Sequence, residues 1–522
     1  MTTPTQVRVP APESSQFVQG INLTSATTLV IGSMIGSGIF IVSADIGRLV
    51  DSPALLIVAW VVTGFMTVVG ALTYGELAAM MPKAGGQYVF LRESLGPLWG
   101  FLYGWSMFAV IQTGTIAAVG VAFGKFMGML FPAISADKWI WHIGHVPQWQ
   151  VGPMALGNMD VGVNSQNLVA IAMVLFLTTI NVLGVKTGAI VQNIFTFSKT
   201  AALFGLVLIG ATLGRNAEAI SQNFRHFWQN ASFSTLHPVQ VGVGGPIAFV
   251  GLFMIVAVAQ VGSLFSSDAW NNVTFTAAEV ENPRRNLPLS LALGTGLVTI
   301  LYIAANFVYL MVLPLHGNPH GTTVLAHGIQ YAADDRVGTA VMQQAFGASG
   351  AVLMAIAIMI STFGCNNGLI LAGARIYYAM AKDGLFFRSV GGLHPRYKTP
   401  VASLIVQALW TCCLCLSGSY GQLLDLTMFA VIIFYILTIG GLFVLRRTRP
   451  DVLRPYRAFG YPVLPAIYIV MAIFIDVVLL RYKPQYTWPG LIIVLLGIPI
   501  YLFWSRSARV NGSTVQLEGE AG

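Results

Sequence analysis

Apolar blocks, most of them nearly long enough to cross a bilayer, alternate with short polar stretches along almost the whole chain. The stretches 54–72, 168–183, 201–213, 247–261, 289–313, 351–360, 429–445 and 491–503 contain no charged residue. A helix rising about 1.5 Å per residue needs roughly 20 such residues to span the hydrocarbon core. Extended through their small and weakly polar flanks, the blocks predict an all-α membrane protein of about twelve spans. These are 23–50, 54–74, 98–131, 167–183, 187–213, 244–281, 289–313, 349–381, 401–417, 423–445, 461–480 and 488–504. The longer polar interludes are 132–166, 214–243 and 314–347; the first carries Trp139, Trp141 and Trp149, aromatics suited to a membrane interface.

Two of the spans do not read as simple helices. The first contains Gly32-Ser33-Met34-Ile35-Gly36-Ser37-Gly38, three glycines in seven residues, and each interior glycine costs a helix up to about 1 kcal/mol against alanine. The sixth is too long for one bilayer crossing, and its middle reads Gly262-Ser263-Leu264-Phe265-Ser266-Ser267-Asp268, small and polar where lipid depth demands apolar. Spans one and six open two successive sets of five. Interruptions in corresponding positions point to a five-plus-five inverted repeat with broken helices 1 and 6 and a midplane site. Glycines that only let helices pack closely are the other reading; the pairing favours the breaks. The expected layout is a tail at 1–22, a first repeat at 23–213, an outer loop at 214–243, a second repeat at 244–447, two further helices within 448–505 and a tail at 506–522.

Composition sharpens this picture. Hydrophobic residues make up 56% of the 522 and charged residues 9%, against about 25% charged in a soluble domain. The net charge of +8 does not call for a nucleic-acid partner, because the cations cluster between spans. With the N-terminus inside, Lys83, Arg92, Lys186, Arg284, Arg285, Lys382, Arg446 and Arg447 fall in inner loops, and the outer loops are poorer in cations. The positive-inside rule then puts both termini in the cytoplasm, with the chain in the plasma (inner) membrane. Residues 1–22 lack an apolar core, so no cleavable signal peptide is expected. Cys365, Cys412, Cys413 and Cys415 all lie in apolar segments and imply no disulfide framework.

Backbone that leaves the helix at membrane depth must line a cavity or be buried in protein. Helix N-termini at a break present free N–H groups and partial positive charge to a carboxylate. The C-terminal ends of the outer half-helices present carbonyls to an ammonium. Two breaks therefore make a site for a zwitterion, with Gly36, Ser37 and Gly38 as donors and Met34, Phe265 and Ser266 as carbonyl bearers; Ile35 lies in the same stretch. Lys199 is the only lysine deep in an apolar span, and an intramembrane charge is functional by default; snorkelling is the bland alternative. Glu76, at the inner end of span two, is expected to pair with loop cations. Asp425 is a better proton-relay candidate than Asp476. Gln112, Asn193, Asn306 and Tyr309 can line a cavity or bond between helices. His142 and His145 have no companion ligands, so no metal is expected. No phosphate-binding loop occurs, and the midplanes hold no histidine and only scattered acids, so neither an enzyme nor a cofactor is expected.

Several motifs together resemble the amino acid–polyamine–organocation (APC) superfamily. They are GSMIGSGIF (32–40), YGELAAMMPKAGGQYVFLRESLGPLWGFLYGW (74–105), VENPRRNLP (280–288), STFGCNNGLILAGARIYYAMAKDGLF (361–386) with HPRYKTP (394–400), and RPYRAFGYPVLP (454–465). Within it the chain is most similar to the L-type amino acid transporters, through LFSSDAWNNVTFTAAEVENP (264–283), where Phe265, Trp270 and Asn271 match the helix-six pattern. The resemblance implies alternating access with an α-amino acid as substrate, neutral ones first. It implies Phe265 as an outer gate, Ser37 and Gly38 at the substrate carboxylate, and the Met34 carbonyl at the amine. Lys199 would stand in place of the sodium of related transporters, facing Ser361 and Thr362, so transport would be sodium-independent.

One departure stands out: Asp268-Ala269 replaces the family's usual two glycines before the tryptophan. Asp268 could bind a cationic substrate such as arginine or a polyamine, carry a proton, or cap the following half-helix. The loop 132–166 has no cysteine, so no disulfide-linked heavy subunit is expected; beyond the amino acid and the bilayer no partner is implied. A transporter-like amino acid sensor and a channel are the other membrane readings.

Overall fold

The computed structural model describes residues 17–147, 149–151, 154–156, 159–241, 245–416 and 420–510. The expectations for most of both tails lie outside these residues. Among the described residues, nine helices are long and apolar enough to cross a membrane, and three shorter apolar ones, Leu23–Met34, Leu252–Ser266 and Val401–Cys415, complete the twelve. Two of these three are short because they are broken.

The helices run in chain order α1 (Leu23–Met34), α2 (Val42–Val50), α3 (Pro53–Met80), α4 (Gln87–Leu95), α5 (Pro97–Ser106) and α6 (Gln112–Leu130). They continue with α7 (Ser165–Val182), α8 (Val185–Thr212), α9 (Ala217–Arg225), α10 (Leu252–Ser266), α11 (Asn272–Phe275) and α12 (Pro283–Val312). The last are α13 (Val324–His327), α14 (Val337–Lys382), α15 (Val401–Cys415), α16 (Tyr420–Thr448), α17 (Val463–Tyr482) and α18 (Pro484–Val510). Span one is α1 plus α2, span three is α5 and α6 joined through a π-helical turn at Met107–Ile111, and span six is α10 plus α11. Gly347, at φ 63° and ψ −148°, kinks α14, and span eight begins beyond it.

Contacts between helices come in pairs related by exchanging the two sets of five. α8 packs on α14 as α16 packs on α6; α1 packs on α12 as α10 packs on α3; α6 packs on α7 as α14 packs on α15. α3 packs on α12, its own counterpart. This is the pattern an inverted repeat produces. α17 and α18 lie against it, touching α16 among others.

The two ends of the bundle differ. At the basic end, Glu76 (fully buried) accepts from Arg446 at 2.6 Å and from the Ala458 N–H at 2.6 Å, with Arg454 at 3.3 Å, the pairing with loop cations that its position suggested. At the opposite end lie α9 and two-stranded ribbons: Trp139–Val146 with Met159–Asn164, and His237–Gln240 with Ile247–Val250. The last strand corrects the sixth span: residues 247–250 are apolar but pair as a strand, and helix starts only after Gly251. The first ribbon corrects the isolation expected of His142 and His145. Its register brings Asp160 Oδ1 within 3.2 Å of His142 Nε2 and 3.1 Å of His145 Nδ1. No group of three or more His, Cys, Asp or Glu among the described residues is placed to hold a metal ion.

Candidate functional site

α1 stops at Met34 because Ile35 turns extended (φ −75°, ψ 96°), and helix resumes through a 3-10 turn at Gly38–Phe40 before α2. α10 stops at Ser266, Ala269 takes the left-handed region at φ 63°, and α11 opens after Asn271. Alanine pays for that conformation where glycine would not. Met34 therefore closes the first half-helix of span one, and Phe265 and Ser266 end the first half-helix of span six. Both C-terminal ends meet at mid-bundle. Gly38 lies so close to span six that a Cβ there would fall 2.2 Å from Ser266 Oγ and 3.1 Å from Ser266 Cα, so only glycine fits.

Lys199 sits near the middle of α8 and is fully buried. Its ammonium donates to the carbonyls of Gly32 (2.5 Å), Ile35 (2.8 Å) and Ser361 (3.3 Å). Ser361 Oγ adds bonds to Ile35 O (3.1 Å) and Gly36 O (3.0 Å), and Cys365 Sγ reaches Ser33 O at 3.1 Å. The carbonyls freed by the break are thus held by one ammonium and by side chains of span eight. Thr362 is not among them; its hydroxyl bonds to Ile358 O and Met359 O in its own helix.

The carbonyls suited to an amine have a neighbour that sequence reasoning passed over. The Tyr302 hydroxyl, on α12, lies 3.1 Å from both Met34 O and Ser266 O and so bridges the two breaks. Asn306 and Tyr309 continue the same stripe, bonding to Ser43 Oγ (2.7 Å) and Ile39 O (3.2 Å). Spacings of four and three residues put all three on one helix face, and that was the available signal. Ser37 and Phe265 are buried beside the breaks.

Beyond Ser266 the site turns polar. Tyr435 donates its hydroxyl to Asp268 Oδ1. The carboxylate does not cap α11, whose N-cap residue is Asn271 and which has no side-chain cap. Asn271 Nδ2 instead donates to Gln87 Oε1 at 2.7 Å. Trp270 packs edge-on against Tyr74 (4.8 Å between centroids) and stacks on Tyr435 (5.2 Å). A cavity of about 20 Å³, lined by Tyr103, Gln112, Asp268, Asn272 and Tyr435 among others, has room for about one water.

The chain matches the family described as amino acid permease over residues 21–503. It belongs to that family. The permease is 27% identical to the Serine/threonine exchanger SteT of Bacillus subtilis over 493 residues, 94% of this chain and 97% of that protein. It is 27% identical to the human Large neutral amino acids transporter small subunit 2 over 504 residues (95% and 83% of the two chains). It is likewise 27% identical to the human b(0,+)-type amino acid transporter 1 over 494 residues (94% and 88%). The permease is an integral membrane transporter of amino acids, not an enzyme.

Ion pairs and hydrogen bonds cross the bundle at each end of it. At the basic end, Arg375 and Glu279, each about 1% exposed, form a two-bonded pair at 2.9 Å between α14 and the last turn of span six. The Gly20 and Ile21 N–H groups bond Glu279 O at 3.0 Å, and Phe17 packs on Tyr378. At the opposite end Arg48 donates to Gln330 O and Asp335 Oδ1, both at 2.6 Å, and Asp51 Oδ1 meets His316 Nε2 at 3.0 Å. That hydrogen bond raises the His316 pKa above the usual histidine value. Partial burial opposes the effect on Asp51, but bonds from His316, Gln330 and Asn230 together hold its carboxyl below the usual range.

Proposed function

We propose that this permease exchanges α-amino acids across the plasma (inner) membrane by alternating access, without sodium. The observation that carries the reading is the Lys199 ammonium, buried among the carbonyls of Gly32, Ile35 and Ser361. Three carbonyls around one fixed positive charge are a cation site that the chain fills itself, so no inorganic cation is needed to hold break one.

The substrate's carboxylate meets the N–H groups of Gly36–Gly38, where the outer half of span one turns its partly positive end to the break. Its ammonium meets the carbonyls of Met34 and Ser266, exchanging places with the Tyr302 hydroxyl. Phe265 closes over it from outside, and Ser361 steadies break one. Substrate enters as one end opens and leaves as the other does, which is the essence of alternating access. The basic end faces the cytoplasm, with both termini there; the halves 23–213 and 244–447 move against each other. Exchange is favoured by the name of the Bacillus relative, and two of the three relatives' names put neutral amino acids first. The chain works without a disulfide-linked subunit, since the loop 132–166 has no cysteine.

The test is exchange in proteoliposomes loaded with unlabelled amino acids, measured with sodium and with choline at constant membrane potential. Equal rates are expected. Accumulation that rises steeply with sodium would remove Lys199 from its assigned role, and ligand binding without flux would make the chain a sensor.

A further inference from the structure

Asp476 takes no part in the site built on the two breaks. It lies on α17 six residues before the helix ends at Tyr482, about 9 Å along the axis, and it is 7% exposed. Both of its carboxyl oxygens are buried without a hydrogen-bond partner. α17 stands outside the two sets of five, yet it packs on α3 of the first set and on α10 and α16 of the second, with α18 beside it. The Tyr482 hydroxyl, 3.6 Å from Met254 Sδ, ties its end to the start of α10. No donor among the described residues reaches the carboxyl. α10 carries no titratable residue. On α3, Glu76 lies at the basic end with Arg446 and Arg454, and Tyr74 packs on Trp270. On α16, Tyr435 donates to Asp268, and Arg446 and Arg447 close the helix at the basic end. Tyr420, Asp425 and Tyr486 have side chains outside the described residues, and Tyr501 lies near the far end of α18. On α17 itself, Tyr468 is two turns away and Arg481 lies over the Tyr482 ring.

A carboxylate buried in this way needs a cation or a proton to complete it, and the helices around it bring no cation. Its burial also depends on both halves at once, since α3 belongs to one and α10 and α16 to the other. We infer that Asp476 is a proton-binding site, which takes up one proton as α3, α10 and α16 close around α17 and releases it to water as they part. The inference rests on the alternating-access reading above and adds a proton to the cycle. In water an aspartate is ionised above about pH 4, so the parted form is charged at neutral pH and the packed form is not. Because the protonated form is the buried one, closing becomes about tenfold more favourable for each unit by which pH falls. The gain ends near pH 4, where the parted form is protonated as well.

The experiment uses the full-length protein in liposomes and follows exchange of labelled leucine and serine, which stay zwitterions throughout, with pH equal on both sides and lowered from about 7.5 to about 5.5. Wild-type exchange should rise at least about tenfold over this range, against a limit of about a hundredfold for one proton. Asp476→Asn and Asp476→Leu, neutral at every pH, should show no such rise and should exceed wild type about tenfold at the alkaline end, a gain that a damaged fold cannot produce. In an Asp51→Asn background, which removes the His316 contact, the rise should persist; its loss there would assign the pH dependence to that contact and overturn the proton site. In weakly buffered detergent at about pH 7, adding leucine or serine to wild type should take up as much as one proton per chain, read with a pH dye. No uptake by wild type overturns the proton site whether or not the variants fold. So does a pH-flat wild type, a variant that keeps the wild-type slope, or loss of exchange in both variants while they stay monodisperse on gel filtration. Each of these leaves the transport reading standing, whereas absence of exchange for every amino acid at every pH would overturn both.

Discussion

Replacing Lys199 removes the one charge that holds break one, and the cost can be worked from its partners. Without the ammonium the Gly32 carbonyl has no donor, because α1 ends two residues later and the N–H that a continuing helix would supply has turned away. The Ile35 carbonyl keeps Ser361 Oγ at 3.1 Å. One orphaned buried acceptor costs about 1–3 kcal/mol, and the lost bonds were to a charged donor, worth about 1.5–3 kcal/mol each. Relief from burying an ammonium without a carboxylate offsets part of this, leaving a net of about 3 kcal/mol. If that falls on the arrangement that binds substrate, kcat/KM drops about a hundredfold. Lys199→Met keeps most of the side-chain volume and removes only the charge, whereas Lys199→Ala also leaves a void. Exchange in proteoliposomes reads the function, and gel-filtration profiles after heating read the fold. Both variants should fail to exchange while remaining monodisperse at room temperature. Lys199→Met exchanging within about threefold of wild type would refute the reasoning.

Gly38→Ala should abolish exchange by wedging the breaks apart, since its Cβ meets Ser266 Oγ at 2.2 Å; adding Ser266→Gly should restore part of the rate in the same assay. Tyr302→Phe should lower KM about fivefold, because the carbonyls of Met34 and Ser266 lose a competitor worth about 1 kcal/mol; a raised KM would count against the shared site. The His316–Asp51 contact, with His316 raised above 6.5 and Asp51 lowered below 3.8, should clamp the outer end most firmly between those two values. It should weaken as pH rises through the raised histidine value or falls through the lowered carboxyl value. Both groups are about half exposed, so the effect stays within about 1 kcal/mol. Accessibility of a cysteine placed at Asp335 should fall on mild acidification outside, and Asp51→Asn should abolish the change.

The breaks were legible because composition alone forbids what lies there. Glycines from Gly32 to Gly38, and serines running into Asp268, cannot make a good helix at lipid depth, so both interruptions show in one sequence. Lys199 was legible for the same reason: one charge in a long apolar run demands partners. Their identity was less visible, since backbone carbonyls carry no residue signature. Ser361 contributes its carbonyl and hydroxyl, while Thr362, one position on, faces back along its helix at the same depth. α4 was misjudged as loop. Arg92 and Glu93 give it a solvated look, but they lie at its far end and pair with each other at 2.8 Å. The preceding stretch from Gln87 to Leu91 is buried, and Gln87 reaches Asn271.

Acidic residues show most clearly what a linear pattern cannot convey. Position along a helix sets approximate depth, but what a carboxyl faces depends on which neighbours press on that side. Asp476 lies near the end of α17 and read as marginal, yet it is 7% exposed with neither oxygen bonded, because α3, α10 and α16 all pack on that helix. Asp425, ranked above it, has its side chain outside the described residues. Asp268 was singled out by its departure from a glycine pattern, and three roles stayed open because each needs a different neighbour. Capping required the first N–H groups of α11, which its carboxylate does not reach. What it does face, a tyrosine hydroxyl and a cavity with unpartnered polar atoms, is fixed by α16, α5 and α11 from three separate parts of the chain.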